Sequence, residues 1–212
     1  MVLVLITFFL PATPEIDDPI AEAIADIRAD EDGLWASVYL GGLAGIVFLP
    51  FLGTLYGLLR RAEGEPGGFA AATLAAGIAT TTGVLVSNGV VASVVAAVDE
   101  DYEQQAVQAL LGLDNTVFLG TAFAFAAFYL AAAVVIVATA VLPRWLGWVA
   151  AAVGVLIVVG FLGVFGSESD GGDIGVLVFI GFLLGLAWTL ATSIVLLMRS
   201  GRGSAAGTTM AG

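Results

Sequence analysis

Residues 33–59 read GLWASVYLGGLAGIVFLPFLGTLYGLL, 27 consecutive positions without one charged side chain. A helix needs about 20 apolar residues to cross a hydrocarbon core about 30 Å thick, so this stretch is long enough to span a bilayer. It is apolar on every face, unlike the amphipathic stripe of a helix that covers a soluble core. Barrel strands alternate over about 10 residues instead of running apolar for this length. The stretch is therefore read as a transmembrane helix.

Four further segments read the same way: 68–98, 115–142, 144–165 and 173–198. None of the five carries a charged residue in its interior on these boundaries. The whole chain agrees, with 212 residues, 60% of them hydrophobic and 11% charged, and a mean hydropathy of +1.07. A soluble domain carries about 25% charged residues, so this chain has too little polar surface to cover itself in water. The predicted fold class is an all-α, polytopic integral membrane helical bundle with five full transmembrane helices and a short N-terminal apolar helix. The connections are short: Arg60–Pro66, Asp99–Asp114, Pro143–Arg144 and Gly166–Gly172. The third is so short that the helices on either side of it are expected to form a tight antiparallel pair. Residues 1–199 are read as one membrane-embedded domain, and 200–212 (SGRGSAAGTTMAG) as a disordered tail.

The N-terminal helix, residues 1–10 (MVLVLITFFL), covers about 15 Å at about 1.5 Å per residue, half a span. It carries no basic residue, so it does not read as a secretory signal. The expectation is a helix truncated at a misassigned start, with roughly 10–15 apolar residues upstream completing a sixth span. Next comes a surface helix over 19–30 (PIAEAIADIRAD). Asp17 or Asp18 can cap it, and Pro19 suits its first turn. Ile20, Ile24 and Ile27 form one stripe, to be laid on the membrane or the bundle, and Glu22, Asp26 and Asp30 form another facing water.

Charge orients the chain. Alternating the loops between two sides puts Arg60, Arg61, Arg144, Arg199 and Arg202 on one side with Glu63 and Glu65. The other side holds the remaining sixteen acidic residues and one cation, Arg28, within a formal net charge of -12. Arginine marks cytoplasmic loops. The five arginines are thus the topology determinants, the C-terminus is expected in the cytoplasm, and the acidic loops are expected outside a prokaryotic plasma membrane.

Chemistry is limited by what the chain lacks. It has no Cys, His or Lys, which excludes disulfides and thiolate, imidazole and lysine-amine chemistry. The acidic runs at 30–32, 99–101 and 170–173 do not have the spacing of a calcium loop and are read as solvated loops. No phosphate-cradling glycine loop and no basic nucleic-acid patch is present. No enzyme activity, cofactor or metal is expected, and the lipid bilayer, with other membrane proteins, is the expected partner. The candidate polar intramembrane cluster is Thr80, Thr81, Thr82, Ser87 and Asn88. Asn88 is read as a hydrogen-bond clasp between helices before it is read as lining a solute pathway, and threonines can bond their own helix. Pro50 is a candidate helix kink. The spacings Gly41–Gly45 and Gly181–Gly185 are read as close helix packing within the chain. Trp35, Trp145 and Trp148 sit at segment ends as interfacial anchors, and Trp188 lies deeper, inside the bundle.

Residues 142–148 read LPRWLGW, residues 59–64 read LRRAEG, and residues 11–30 make a Pro-rich exit into an acidic Ala/Ile helix. In these features the chain resembles bacterial, largely actinobacterial, multi-pass membrane proteins related to the DUF4386-type families of domains of unknown function. The resemblance implies six helices, with a full-length first one, and assigns no catalytic residues. The expected role is a structural or accessory membrane component, with a small-solute or lipid carrier using the Thr80–Asn88 stripe as the alternative.

Overall fold

The computed structural model describes residues 13–14, 18–162 and 171–207, with side chains placed outside 162–179 and 199–207. The expectations for residues 1–10, for the loop at 166–170 and for the end of the tail at 208–212 lie outside the described residues. Within the described residues there are six helices and no strand: α1 (Ile20–Ala29), α2 (Glu31–Glu63), α3 (Gly68–Asp99), α4 (Gln104–Thr139), α5 (Arg144–Leu162) and α6 (Gly171–Gly207). Five of them, α2 to α6, are long and apolar enough to cross a membrane. The all-α membrane bundle read from the sequence is the fold observed.

The helix ends follow from local chemistry. α2 stops where Gly64 takes a left-handed conformation (φ 77°) and donates its N–H to the Arg60 carbonyl at 3.2 Å. Glycine takes this conformation without steric cost. Glu63 then reaches forward, its two carboxylate oxygens accepting the backbone N–H groups of Phe69 at 2.9 Å and Ala70 at 2.7 Å. Those donors open α3 and have no acceptor within the helix. Glu63→Ala is expected to cost about 1 kcal/mol, the ordinary worth of such a cap. Thermal unfolding in detergent reads this as a fall of a few degrees, and an unchanged midpoint would count against the cap.

α3 ends in a Schellman turn. Asp101 is left-handed (φ 54°), Tyr102 N–H bonds the Ala97 carbonyl at 2.9 Å, and Asp101 N–H bonds the Val98 carbonyl at 3.3 Å. α4 begins at Gln104, eleven residues ahead of the boundary read from hydropathy, so the connection expected over Asp99–Asp114 shrinks to residues 100–103. The added turns are amphipathic. Val107 and Leu111 are buried, with Leu110 packed beside them, while the glutamines and Asp114 interrupt the apolar run on which a hydropathy window depends. Asp114 therefore lies within α4, which corrects the expectation that no span carries an interior charge. At the other end, α6 continues to Gly207, so residues 200–207 are helical where composition argued for a disordered tail. Extending an existing helix by a residue needs no new nucleation. α2 runs unbroken through Pro50, where proline removes one donor from the helix ladder.

The chain divides into two compact units, Met1–Leu52 with Ala75–Phe125 and Gly53–Leu74 with Ala126–Gly212. Neither is a contiguous stretch, because α2, α3 and α4 each contribute to both. In the first unit, α1 lays Ala23 and Ile27 on Leu34, Val94, Val95, Ala97, Val98, Val107 and Leu111, with Ile20 and Ile24 packed alongside. The isoleucine stripe thus rests on protein. Gly41 and Gly45 face α3: a Cβ at Gly41 would stand 2.6 Å from the Asn88 amide nitrogen, and one at Gly45 would stand 3.6 Å from Thr81 and Leu85. In the second unit α5 packs antiparallel to α4, with Gly147 against Ile136 and Val137 and Gly154 against Leu130 and Ala126. Gly181 of α6 meets Leu156 and Ile157 of α5. Gly41, Gly45 and Gly181 serve packing within the chain, and α4 and α5 are the tight pair that the brief connection required.

Candidate functional site

The polar residues of α3 do not converge. Thr80 and Thr81 are buried, and their hydroxyls donate to the carbonyls of Ala76 and Gly77 one turn back, both at 2.9 Å. Thr82 is exposed. Ser87 turns toward α4 and donates to one oxygen of Asp114 at 2.6 Å, and Thr13 donates to the other at 3.2 Å. Ser87 and Asn88 are adjacent on a helix, so their side chains leave about 100° apart. Asn88 accordingly faces Gly41 of α2. Its amide nitrogen is buried and has no hydrogen-bond partner among the described residues. The clasp read for Asn88 is thus made by its neighbour Ser87, while Asn88 contributes close packing and an unsatisfied donor.

A second polar feature of the first unit surrounds Arg28. Its guanidinium donates to the Val98 carbonyl at 3.2 Å and pairs with Asp101. The Val98 carbonyl, which also accepts the Asp101 N–H, lies at the end of α3, where the helix dipole favours a cation. The lone arginine among the acidic loops is therefore a C-terminal cap for α3 that also holds α1. A cavity of about 410 Å³ lies here, with Ile27, Val95 and Val98 as its apolar walls and Arg28, Glu31, Asp99 and Asp101 as its charged ones. Tyr102, in the adjoining turn, has its pKa raised by its hydrogen bond to Glu100. Among the described residues no group of three or more acidic side chains is placed to hold a metal ion.

A buried polar cluster lies in the second unit, around Trp188 and at residues, Tyr129 and Thr189, that the sequence does not single out. Tyr129 is buried on α4 and donates to the Gly185 carbonyl of α6 at 2.9 Å, with the Thr189 hydroxyl 3.1 Å away. Thr189 itself donates to the same carbonyl at 2.9 Å. The Trp188 indole N–H donates to the Leu146 carbonyl of α5 at 2.7 Å. Phe128, Tyr129 and Trp188 meet edge to face, with centroids 5.0 to 6.1 Å apart. Trp188 is 1% exposed, which agrees with its depth in the sequence. The buried hydroxyl of Thr192 has no partner among the described residues. The sequence signals for this cluster are the depth of Trp188 and a Tyr amid an alanine-rich span, since neither the partners of Tyr129 nor its rotation can be read from one helix.

The arginines expected to determine topology are placed in part. Arg60 donates to the Gly64 carbonyl and pairs with Glu65 at 2.6 Å. Arg61 and Arg144 are exposed, and the side chains of Arg199 and Arg202 lie outside the described residues. No family model, no curated protein and no solved structure matches the chain.

Proposed function

We propose that this protein is a non-catalytic component of a prokaryotic plasma membrane, acting as a scaffold or accessory subunit through its contacts with lipid and neighbouring helices. Its C-terminus and arginine-bearing turns face the cytoplasm, and its acidic turns face outward. The observation that carries this reading is the fate of the polar side chains in α3. A solute pathway needs them turned toward a common hydrated space. Thr80 and Thr81 instead bond their own helix and Ser87 bonds Asp114, and none of the five lines the cavity beside Arg28. α2 adds support: 11% of its membrane-length window is buried, against 50% for α4. Much of α2 is therefore offered to whatever surrounds the bundle. The resemblance in LPRWLGW and LRRAEG to multi-pass proteins without assigned catalytic residues points the same way.

The natural absence of cysteine makes single-cysteine variants a clean test. A membrane-impermeant maleimide applied to whole cells is expected to label Glu100→Cys, to label Gly64→Cys only after lysis, and to leave Thr81→Cys unmodified until the protein is denatured. Labelling of Thr81→Cys in the folded protein would put water beside the stripe and favour the carrier. Exchanged behaviour of the two loop positions would reverse the orientation.

A further inference from the structure

α5 opens with three exposed side chains, Arg144, Trp145 and Trp148, the indoles 55% and 65% exposed. Positions 144 and 148, and 145 and 148, are neighbours on a helix surface, so the three form one patch. The intervening residues turn inward. Leu146 and Ala150 are fully buried, Gly147 lies against Ile136 and Val137, and the Leu146 carbonyl holds the Trp188 indole. The patch thus stands on backbone pinned from behind. It also begins a candidate membrane span, Arg144–Phe161, which puts it at headgroup depth, where indoles settle.

Charge selects the occupant. The two acidic residues of this unit whose side chains are described are both engaged, Glu63 with the N–H groups of Phe69 and Ala70 and Glu65 with Arg60. Arg61 and Arg144 are left as the cations without an ion-pair partner among the described residues. Of these two, Arg144 has indoles beside it in the same helical turn.

We infer that Arg144, Trp145 and Trp148 form a binding surface for an anionic phospholipid. The guanidinium fork matches two oxygens of the phosphodiester, and the indoles cover the glycerol region while their N–H groups donate to headgroup oxygens. A zwitterionic headgroup offers the same phosphate but carries its own cation, which cancels the net attraction and competes with Arg144. Binding is therefore selective for net negative charge, in whichever leaflet the patch lies.

Tryptophan quenching in vesicles reads this directly. The full-length protein carrying Trp35→Phe, which removes the one other exposed indole, is reconstituted in phosphatidylcholine with increasing fractions of dibrominated phosphatidylglycerol or dibrominated phosphatidylcholine. The anionic lipid is expected to quench with about five-fold higher relative affinity, the preference one arginine supports near a charged leaflet. Arg144→Gln is expected to bring that ratio close to one, and Arg61→Gln to leave it unchanged. Trp145→Phe with Trp148→Phe is expected to remove the quenched signal, since Trp188 is buried. A ratio of one in the parent protein, as when a neighbouring protein covers the patch, overturns the inference. So does a preference that survives Arg144→Gln, or one that Arg61→Gln abolishes equally.

Discussion

Trp188→Ala is expected to be the most damaging truncation in the described structure, costing about 3 kcal/mol, the low end of the range for emptying a packed aromatic site in a soluble core. Trp145→Ala and Trp148→Ala, which empty exposed positions, should cost far less. In a bilayer the transfer of apolar surface contributes little, because lipid is as apolar as the bundle interior. The loss comes from packing and hydrogen bonding. Trp188 stands edge-on to Phe128 at 6.1 Å and to Tyr129 at 5.2 Å, and its N–H reaches the Leu146 carbonyl. Alanine leaves a void with α4 on one side and α5 on another. Trp188→Phe keeps a ring and loses the hydrogen bond, and Tyr129→Phe loses only its hydroxyl contacts. Each is expected to cost about 1 kcal/mol, near the measured worth of hydrogen bonds between membrane helices. Unfolding in mixed micelles at increasing SDS fraction provides the comparison. If Trp188→Ala unfolds within about 1 kcal/mol of the parent protein, the aromatic cluster is not a packing centre.

That cluster marks where sequence reading stops. Membrane spans are legible because a single requirement, about 20 apolar residues, acts on each segment alone. The tight pair at Pro143–Arg144 was legible for a similar reason: two residues between spans leave the chain no other course. The start of α4 was not, because Gln104, Gln105, Gln108 and Asp114 lower the local hydropathy while Val107 and Leu111 still bury. Periodicity, not mean hydropathy, carried that signal. Asn88 was read from the cost of an unpaired amide, a sound argument about composition that leaves rotation open. One position along the helix decides whether a side chain meets Asp114 or Gly41. The bond from Tyr129 to Gly185 depends on the rotation of two helices 56 residues apart in the chain, and no one-dimensional pattern contains it. Arg28 is a different case. It looked like an exception to the charge asymmetry, and the structure gives it a local purpose at the carbonyl end of α3.

Gly154→Val should show how far the α4–α5 pair depends on close approach. A Cβ at Gly154 would lie 2.5 Å from the Leu130 Cγ and 3.1 Å from the Ala126 carbonyl oxygen. The first conflict is with a side chain that has other rotamers; the second is with backbone, which moves only if the helices part. Alanine tests mainly the first, and Gly154→Ala is expected to cost about 1–3 kcal/mol, the range for an overpacked core. Valine adds two methyl groups at the same point and is expected to exceed that range, so that little folded protein is recovered from the membrane. Gly42→Ala is the control on another span, since nothing lies within 4 Å of its Cβ position. It should be neutral or gain up to about 1 kcal/mol from the removal of a helix-interior glycine. Combining Gly154→Ala with Leu130→Ala separates the two conflicts, because it removes the movable obstacle and leaves the carbonyl in place. If the helices are held apart mainly by Leu130, the double variant recovers most of the lost stability. If the Ala126 backbone is the limit, it recovers little, and the coupling between the two substitutions is small. A Gly154→Val protein as stable as the parent would mean that α4 and α5 are not in close contact at this level.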